Sequence, residues 1–463
     1  MRLLHTSDWH LGRRLHGTDL TDAHAAWVDH LVEVVRERSV DVLLVAGDVF
    51  DRAVPPVESV QLWDEALARV VDAGAAVVVS SGNHDSPVRL GVHASLIADR
   101  GVHVRCEVDR VGEPVTLQDE HGTVALYPLP FLEPTTTAGR LAALSAPGVP
   151  ALRPDEPGPV RTQAGVVRRA AALASADAAA SGHRRSIAMA HTWVAGVRAQ
   201  DRCDSEREIG VDRAAETRVG TLDRVPAHTF DAFSYTALGH LHGAQVLGER
   251  LRYSGSPAAF SFSERHHRKS SWLVDLDATG AVVVERVPAP VHRGLVQLHG
   301  RLEDLLVDPA HSVAERSWVK AVLSDAARPD DAMRRLQARF PHAVTLEWAP
   351  EGRVEALPYA RLRAGATSDT DVAVGFVAHV RGTEATAAER DVLASAFHRL
   401  RAEAVAEAVG AVVPVEPAEA VWPEELRALD DSGPEAEDDL FTGLSLAGTD
   451  DGAPARAHRR GAA

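Results

Sequence analysis

Two cysteines in 463 residues, Cys106 and Cys203, are too few for a disulfide framework or a thiolate zinc site. No run approaches about 20 consecutive apolar residues, which leaves no candidate for a membrane-spanning helix. The opening Met1-Arg2-Leu3-Leu4-His5-Thr6-Ser7-Asp8 meets an acid where a secretory signal needs an unbroken apolar stretch. A Gly-x-x-x-x-Gly-Lys-Ser/Thr phosphate loop is missing, so the chain is not expected to hydrolyse ATP itself. Basic charge is also short, with 49 Lys and Arg against 66 Asp and Glu for a net charge of −17. Residues 414–451 alone hold twelve acids against Arg427. An acidic body argues against an unaided grip on nucleic acid, because phosphate contacts draw on Lys and Arg. It leaves open DNA binding through metals, a local basic patch or a partner. The rest of the composition is ordinary, 45% hydrophobic and 25% charged, and the length suits two or three domains. The expectation is a reduced cytoplasmic protein.

The first hundred residues alternate strand and helix signals. Arg2–Thr6 reads as a short strand, Leu20–Arg38 as a helix and Val40–Ala46 as a buried strand. Val57–Ala73 is helical again, Ala75–Ser80 is another buried strand, and Pro87–Asp99 predicts a further helix before a strand at Val102–Val104. This order predicts a layered α/β core with a mainly parallel sheet. Later strands are expected at Val124–Pro130, Ser186–Ala190, Ala232–Leu238 and Leu251–Ser254. A hairpin is expected around Ala278-Thr279-Gly280, and a helix over Ala164–Ala180. Pro288-Ala289-Pro290 marks a boundary. Beyond it, strands at Leu295–Leu302 and Val319–Leu323 and a helix at Pro329–Arg339 suit a small α+β cap domain. Residues 361–380 give no clear pattern. Thr383–Val409 is an amphipathic helix with Leu393, Phe397, Leu400 and Ala404 on one side. The acidic, Pro- and Gly-containing end reads as a disordered tail. The expected domains are 1–290, 291–380, 381–413 and 414–463.

Five short polar segments sit at strand exits. They are Ser7-Asp8-Trp9-His10, Ala46-Gly47-Asp48-Val49-Phe50-Asp51, Ser81-Gly82-Asn83-His84-Asp85, Met189-Ala190-His191-Thr192 and Leu238-Gly239-His240-Leu241-His242. Open α/β sheets bind ligands beyond the carboxyl ends of their strands, so these segments are expected to converge on one crevice. Each alone is equally well a turn, a helix cap or a surface accident. Together they offer imidazoles, carboxylates and one amide oxygen without thiolate, a donor set for manganese or iron and less exclusively zinc. Asp48 is the natural bridging carboxylate. Two cations about 3.5–4 Å apart clamp a phosphoryl oxygen and activate water at neutral pH.

The series Asp-x-His, Gly-Asp, Gly-Asn-His-Asp, His and Gly-His-x-His resembles the calcineurin-like metallophosphoesterase superfamily. Within it, Thr6–Gly12, Ala46–Asp51, Ser81–Ser86, Tyr127–Phe131, Ser205-Glu206-Arg207-Glu208, Ala237–His242 and Tyr253–Pro257 resemble the SbcD family, the nuclease subunits of bacterial SbcCD complexes. The resemblance covers residues 1 to about 290. It implies a layered α/β sandwich of central sheets flanked by helices, and hydrolysis of DNA phosphodiesters in double-strand-break and hairpin processing. It implies two divalent metals, Mn2+ first with Fe2+ or Mg2+ as alternatives. Asp8, His10, Asp48 and His242 would hold one, and Asp48, Asn83, His191 and His240 the other. His84 would be the catalytic histidine, with Asp85 either orienting it or capping a helix. Asp51 stands where related archaeal and eukaryotic nucleases carry histidine. The implied partners are DNA and a large SMC-like ATPase, SbcC, around a homodimer of nuclease subunits. The helix at 383–409 is the expected docking element, with a lid on its own cap domain as the other reading.

Outside these motifs, His5, His16, His24, His30 and His93 read as ordinary histidines, and Trp27 and Trp63 as core. Arg13, Arg14 and His16 line a substrate groove or form a solvated loop. Arg265-His266-His267-Arg268-Lys269 is either a DNA-backbone contact or a plain surface turn. Two rival functions share the motifs: a small-molecule phosphodiesterase or phosphatase, and a non-catalytic DNA-end scaffold.

Overall fold

The computed structural model describes residues 1–152, 162–196, 203–204, 224–350, 368–381 and 384–408. The Ser205–Glu208 segment and the tail from 414 onward lie outside these residues. The chain forms two compact units, Met1–Arg353 and Val354–Ala463.

The first unit is built on two six-stranded mixed sheets. In one, β1 (Arg2–Thr6), β4 (Val42–Ala46), β5 (Ala76–Ser80) and β6 (Val102–Arg105) run parallel. A closing hairpin of β13 (Ser270–Leu276) and β14 (Val282–Pro288) adds antiparallel beside β1. Between β1 and β4 lie a two-residue ribbon, β2 (Arg14–Leu15) with β3 (Thr18–Asp19), and the helix Thr21–Glu37. The second sheet has the order β11 (Gln245–Val246), β12 (Leu251–Tyr253), β10 (Tyr235–Gly239), β9 (Ser186–His191), β8 (Gly122–Leu129) and β7 (Val115–Asp119).

The continuous apolar runs are explained by burial of both strand faces. Successive side chains alternate across a strand. In β4, Leu43 and Val45 join the core beneath the helices Thr21–Glu37 and Val57–Asp72, while Val42, Leu44 and Ala46 face the second sheet. In β5, Val77 and Val79 turn outward and Val78 turns inward. Ile187, Met189, Tyr235 and Ala237 meet them from the second sheet. That sheet's outer face is covered by the helix Gln163–Ala180. The layers are therefore helix, sheet, sheet, helix, the α/β sandwich expected from the sequence. Trp27 and Trp63 lie in the outer core, each edge-on to Trp9.

The order continues past 290 with β15 (Leu295–Gly300), β16 (Trp318–Leu323) and β17 (Ala343–Trp348), a parallel sheet with its own core of Leu298, Val319, Leu336 and Phe340. Trp318 of β16 packs with Phe260, Phe262, Leu15 and Leu20, so this sheet is joined to the larger core across the Pro288–Pro290 segment. In the second unit, the helices Asp369–Arg381 and Ala387–Ala408 pack on one another. The latter starts later than the apolar spacing predicts because Thr386 and Glu389 form a reciprocal cap at its start. The single helix expected over Pro87–Asp99 is instead two short ones, Pro87–Leu90 and Ala94–Ile97, interrupted where His93 takes φ of 64°. Among the described residues no helix is long and apolar enough to cross a membrane.

Leu44 is fully buried between the two sheets. Leu44→Ala is expected to lower unfolding free energy by about 2–5 kcal/mol, read from urea denaturation.

Candidate metal centre

The register of the strands sets where the polar segments emerge. Thr6 of β1 lies opposite Val45 of β4, Ala46 of β4 opposite Ser80 of β5, and His191 of β9 opposite Gly239 of β10. Asp8, Asp48 and Asn83 therefore leave the first sheet at one level, and His191 and His240 leave the second. Pairing continues beyond the strands: Asp8 N–H donates to the Gly47 carbonyl at 3.0 Å and His10 N–H to the Asp48 carbonyl at 3.0 Å. The turns are tight. Asp8, His10, Asp48 and His240 all have positive φ, a conformation uncommon outside glycine that clusters at functional sites. A Cβ on Gly82 would collide with the Asp48 carboxylate and backbone nitrogen, so only glycine fits there.

The side chains meet in a buried cluster. His191 Nε2 lies 3.2 Å from Asp48 Oδ2, 3.0 Å from Asn83 Oδ1 and 4.0 Å from Asp8 Oδ1. Asn83 Oδ1 is also 3.1 Å from His240 Nδ1. On the other side of Asp48, His10 Nε2 lies 3.5 Å from its Oδ2 and 3.1 Å from His242 Nε2. Asp8, His10 and His242 form one group of closely spaced donor atoms, and Asp8, Asp48 and His191 another. All seven sequence-predicted donors, Asp8, His10, Asp48, Asn83, His191, His240 and His242, thus come together.

His84 stands at the edge of this group, its Nε2 3.9 Å from Asp48 Oδ2. Its Nδ1 is 2.7 Å from the Asp51 carbonyl. A carbonyl only accepts, so Nδ1 carries the proton and Nε2 faces the cluster. The Ala46 carbonyl fixes His191 in the same way, at 2.9 Å from Nδ1. Asp85 sits beneath the loops, where its carboxylate accepts N–H groups from Val49 (3.2 Å), Phe50 (3.0 Å) and Gly82 (2.9 Å). The ring of His84 is thus held by Asp51, while Asp85 ties the loop after β4 to the loop after β5.

Electrostatics favour a cation here. Burial lifts the Asp8 carboxyl to about 6 and drags the imidazoles of His10 and His240 down to about 3. Burial also works against the charged forms of Asp48 and His191. Their mutual attraction wins: Asp48 is held well below the carboxylate range and His191 is pushed up to about 9. A pocket that protonates a buried imidazole to balance its carboxylates lacks positive charge. Convergent nitrogen and oxygen donors without sulfur fit hard or borderline divalent cations.

Several further residues support the donors. Ser7 hydrogen-bonds the Asp8 carboxylate and lies 2.7 Å from Ser254 Oγ. Asp51 receives Arg13 at 3.0 Å and lies 3.5 Å from His10 Nδ1. Phe260 packs edge-on to the rings of His10 and His242. In the basic run at 265–269, Arg265, His266 and Arg268 are exposed, but Lys269 turns inward onto Glu264. His5, buried, is satisfied by the Tyr235 hydroxyl and the Leu238 carbonyl.

Residues 1–128 match the calcineurin-like phosphoesterase family. The D subunit of the nuclease SbcCD from Escherichia coli K12 is 29% identical over 363 residues, spanning 73% of this chain and 82% of that protein. The D subunit of the nuclease SbcCD from Rhodobacter capsulatus is 33% identical over 347 residues, spanning 71% of this chain and 77% of its own length. A solved β-glucosidase from Micrococcus antarcticus aligns at 12% identity over 75% of this chain and 83% of its own, with a TM-score of 0.20, which carries no weight. The convergent donors and the match over more than two thirds of the chain agree, and the chain belongs to the SbcD family of calcineurin-like phosphoesterases.

Proposed function

We propose that this chain is a two-metal DNA nuclease subunit that hydrolyses phosphodiesters together with a large SMC-like ATPase. The observation that carries the reading is the cluster of seven nitrogen and oxygen donors around Asp48, five of them buried and Asn83 and His240 partly so, with His84 at its rim, in a chain of the SbcD family. Asp8, His10, Asp48 and His242 would hold one divalent cation and Asp48, Asn83, His191 and His240 the other, with Mn2+ the first choice. When bound, the cations supply activation of water and neutralisation of phosphoryl charge. His84, with Nδ1–H committed to the Asp51 carbonyl, presents Nε2 to the phosphoryl group; as the imidazolium it also carries a proton on Nε2, which steadies phosphoryl charge or passes to the leaving oxygen. Asp85 acts as a positioning residue by clamping the loops that carry Asp48, Asn83 and His84.

The same reading assigns 1–290 to the nuclease, 291–380 to a cap, 381–413 to partner docking and 414–463 to an acidic tail. Exposed Val392 on Ala387–Ala408 supports docking of a partner on that helix. Exposed Val57, Val60, Val88 and Leu96 support a homodimer through the helices of the first hundred residues. The names of the relatives, each the D subunit of an SbcCD nuclease, support a partner subunit, and its SMC-like ATPase character is what the motif resemblance implies.

The full chain with Mn2+ is expected to degrade linear duplex DNA in preference to a small nitrophenyl phosphodiester, and to stop on chelation. Asp48→Ala abolishes this activity, and His84→Gln lowers it about 10²–10⁴-fold, with urea unfolding of His84→Gln unchanged. Full manganese-dependent turnover in either variant refutes the assignment. Asp85→Asn deprives buried N–H groups of an acceptor and is expected to lower unfolding free energy by about 1–3 kcal/mol in urea titrations.

A further inference from the structure

Next to the donor cluster lies an ion pair buried almost completely: the side chains of Glu264 and Lys269 are 0% and 7% exposed, with Nζ 2.5 Å from Oε2. Such a pair is a poor device for stability, since desolvation of two charges offsets their attraction and apolar replacements are often neutral or better. Its position gives it another use. Lys269 Nζ donates to the carbonyl of His242 at 2.9 Å and to Ser256 Oγ at 2.8 Å, which, with Glu264, employs all three of its protons. The other oxygen of Glu264 accepts Phe260 N–H and Ser261 Oγ, both at 3.1 Å, and lies 3.8 Å from His242 Nδ1. The opposite nitrogen, His242 Nε2, faces His10 and the centre. The ammonium thus holds the His242 backbone by a hydrogen bond, and the carboxylate stands 3.8 Å from the outer nitrogen of its ring. The choice of lysine is itself informative. The sequence has two, Lys269 and Lys320, and 47 arginines, yet the planar arginine fork does not supply three diverging donors from one atom.

We propose that Glu264 and Lys269 are positioning residues that fix the tautomer and direction of His242 toward one of the two metal positions. The inference rests on the metal-centre reading above and assigns the pair to that centre's His242 side. Carboxylates that receive the outer N–H of a metal-bound imidazole act in this manner, and their loss typically weakens metal affinity about 10–100-fold.

The test is Mn2+ titration of the metal-stripped full chain, followed by the paramagnetic signal of free Mn2+ and by calorimetry. The double variant Glu264→Gln/Lys269→Met removes both buried charges together and avoids leaving one unpaired. Glu264→Asp keeps the charge pair but withdraws the carboxylate from the ring. Wild type is expected to take up two Mn2+. In the double variant one of them weakens about 10–100-fold while the other keeps its affinity, and Glu264→Asp gives a smaller loss at the same position. A merely structural pair moves both affinities together or only the urea midpoint, and that result overturns the proposal, as does unchanged uptake of both ions in the variants. Should the double variant fail to fold, Glu264→Asp decides alone by the same criterion. Absence of Mn2+ uptake by the wild type overturns the metal-centre reading first, and is told apart because it precedes any substitution.

Discussion

A buried carboxylate must be met by positive charge or give up its own, and Asp48 is the point where this fold faces that demand. It is almost fully enclosed, with His191 and His10 on either side of Oδ2 and the backbone N–H of His84 on Oδ1. Neighbouring Asp8 deepens the deficit, and its carboxyl is lifted chiefly by burial, with a smaller contribution from the charge of Asp48. The two-sheet sandwich supplies the enclosure. Neither sheet alone surrounds Asp48, because its neighbours come from β1 and β5 on one side and β9 on the other.

That enclosure explains the unusual backbone nearby. Side chains leaving two facing sheets must turn back toward the seam within one or two residues. Asp8, His10, Asp48 and His240 do so in the left-handed region, held there by hydrogen bonds such as His240 N–H to Asp8 Oδ1 at 3.0 Å. Asp85 performs the same task from below. The strained loops are thus anchored by the very carboxylates whose charge the pocket must balance.

Much of this was legible in the sequence, for identifiable reasons. The strands were visible because burial on both faces removes polar residues from runs such as Val42–Ala46. The donors were visible because each follows such a run in a short polar cluster. What escaped were contacts that leave no side-chain trace. The carbonyl of Asp51 that fixes His84 is invisible in sequence, since every residue has one. Lys269 belongs to a basic run that reads as surface, and only the fold turns it inward onto Glu264. β17 was missed because most of its side chains are half-exposed and show no clear alternation. The break at His93 in the expected helix depends on a single left-handed residue.

The strand order has a consequence for how the protein comes into being. β13 lies between β14 and β1, so the first strand synthesised has an open edge until residues 270–276 have left the ribosome. The donors span positions 8 to 242, and the residues bracing His242 follow at 264 and 269. A nascent chain therefore carries Asp8, His10, Asp48 and His84 well before His191, His240 and His242, and the pocket closes only after more than half of the polypeptide has emerged. Translation order thus makes the centre a late product of folding.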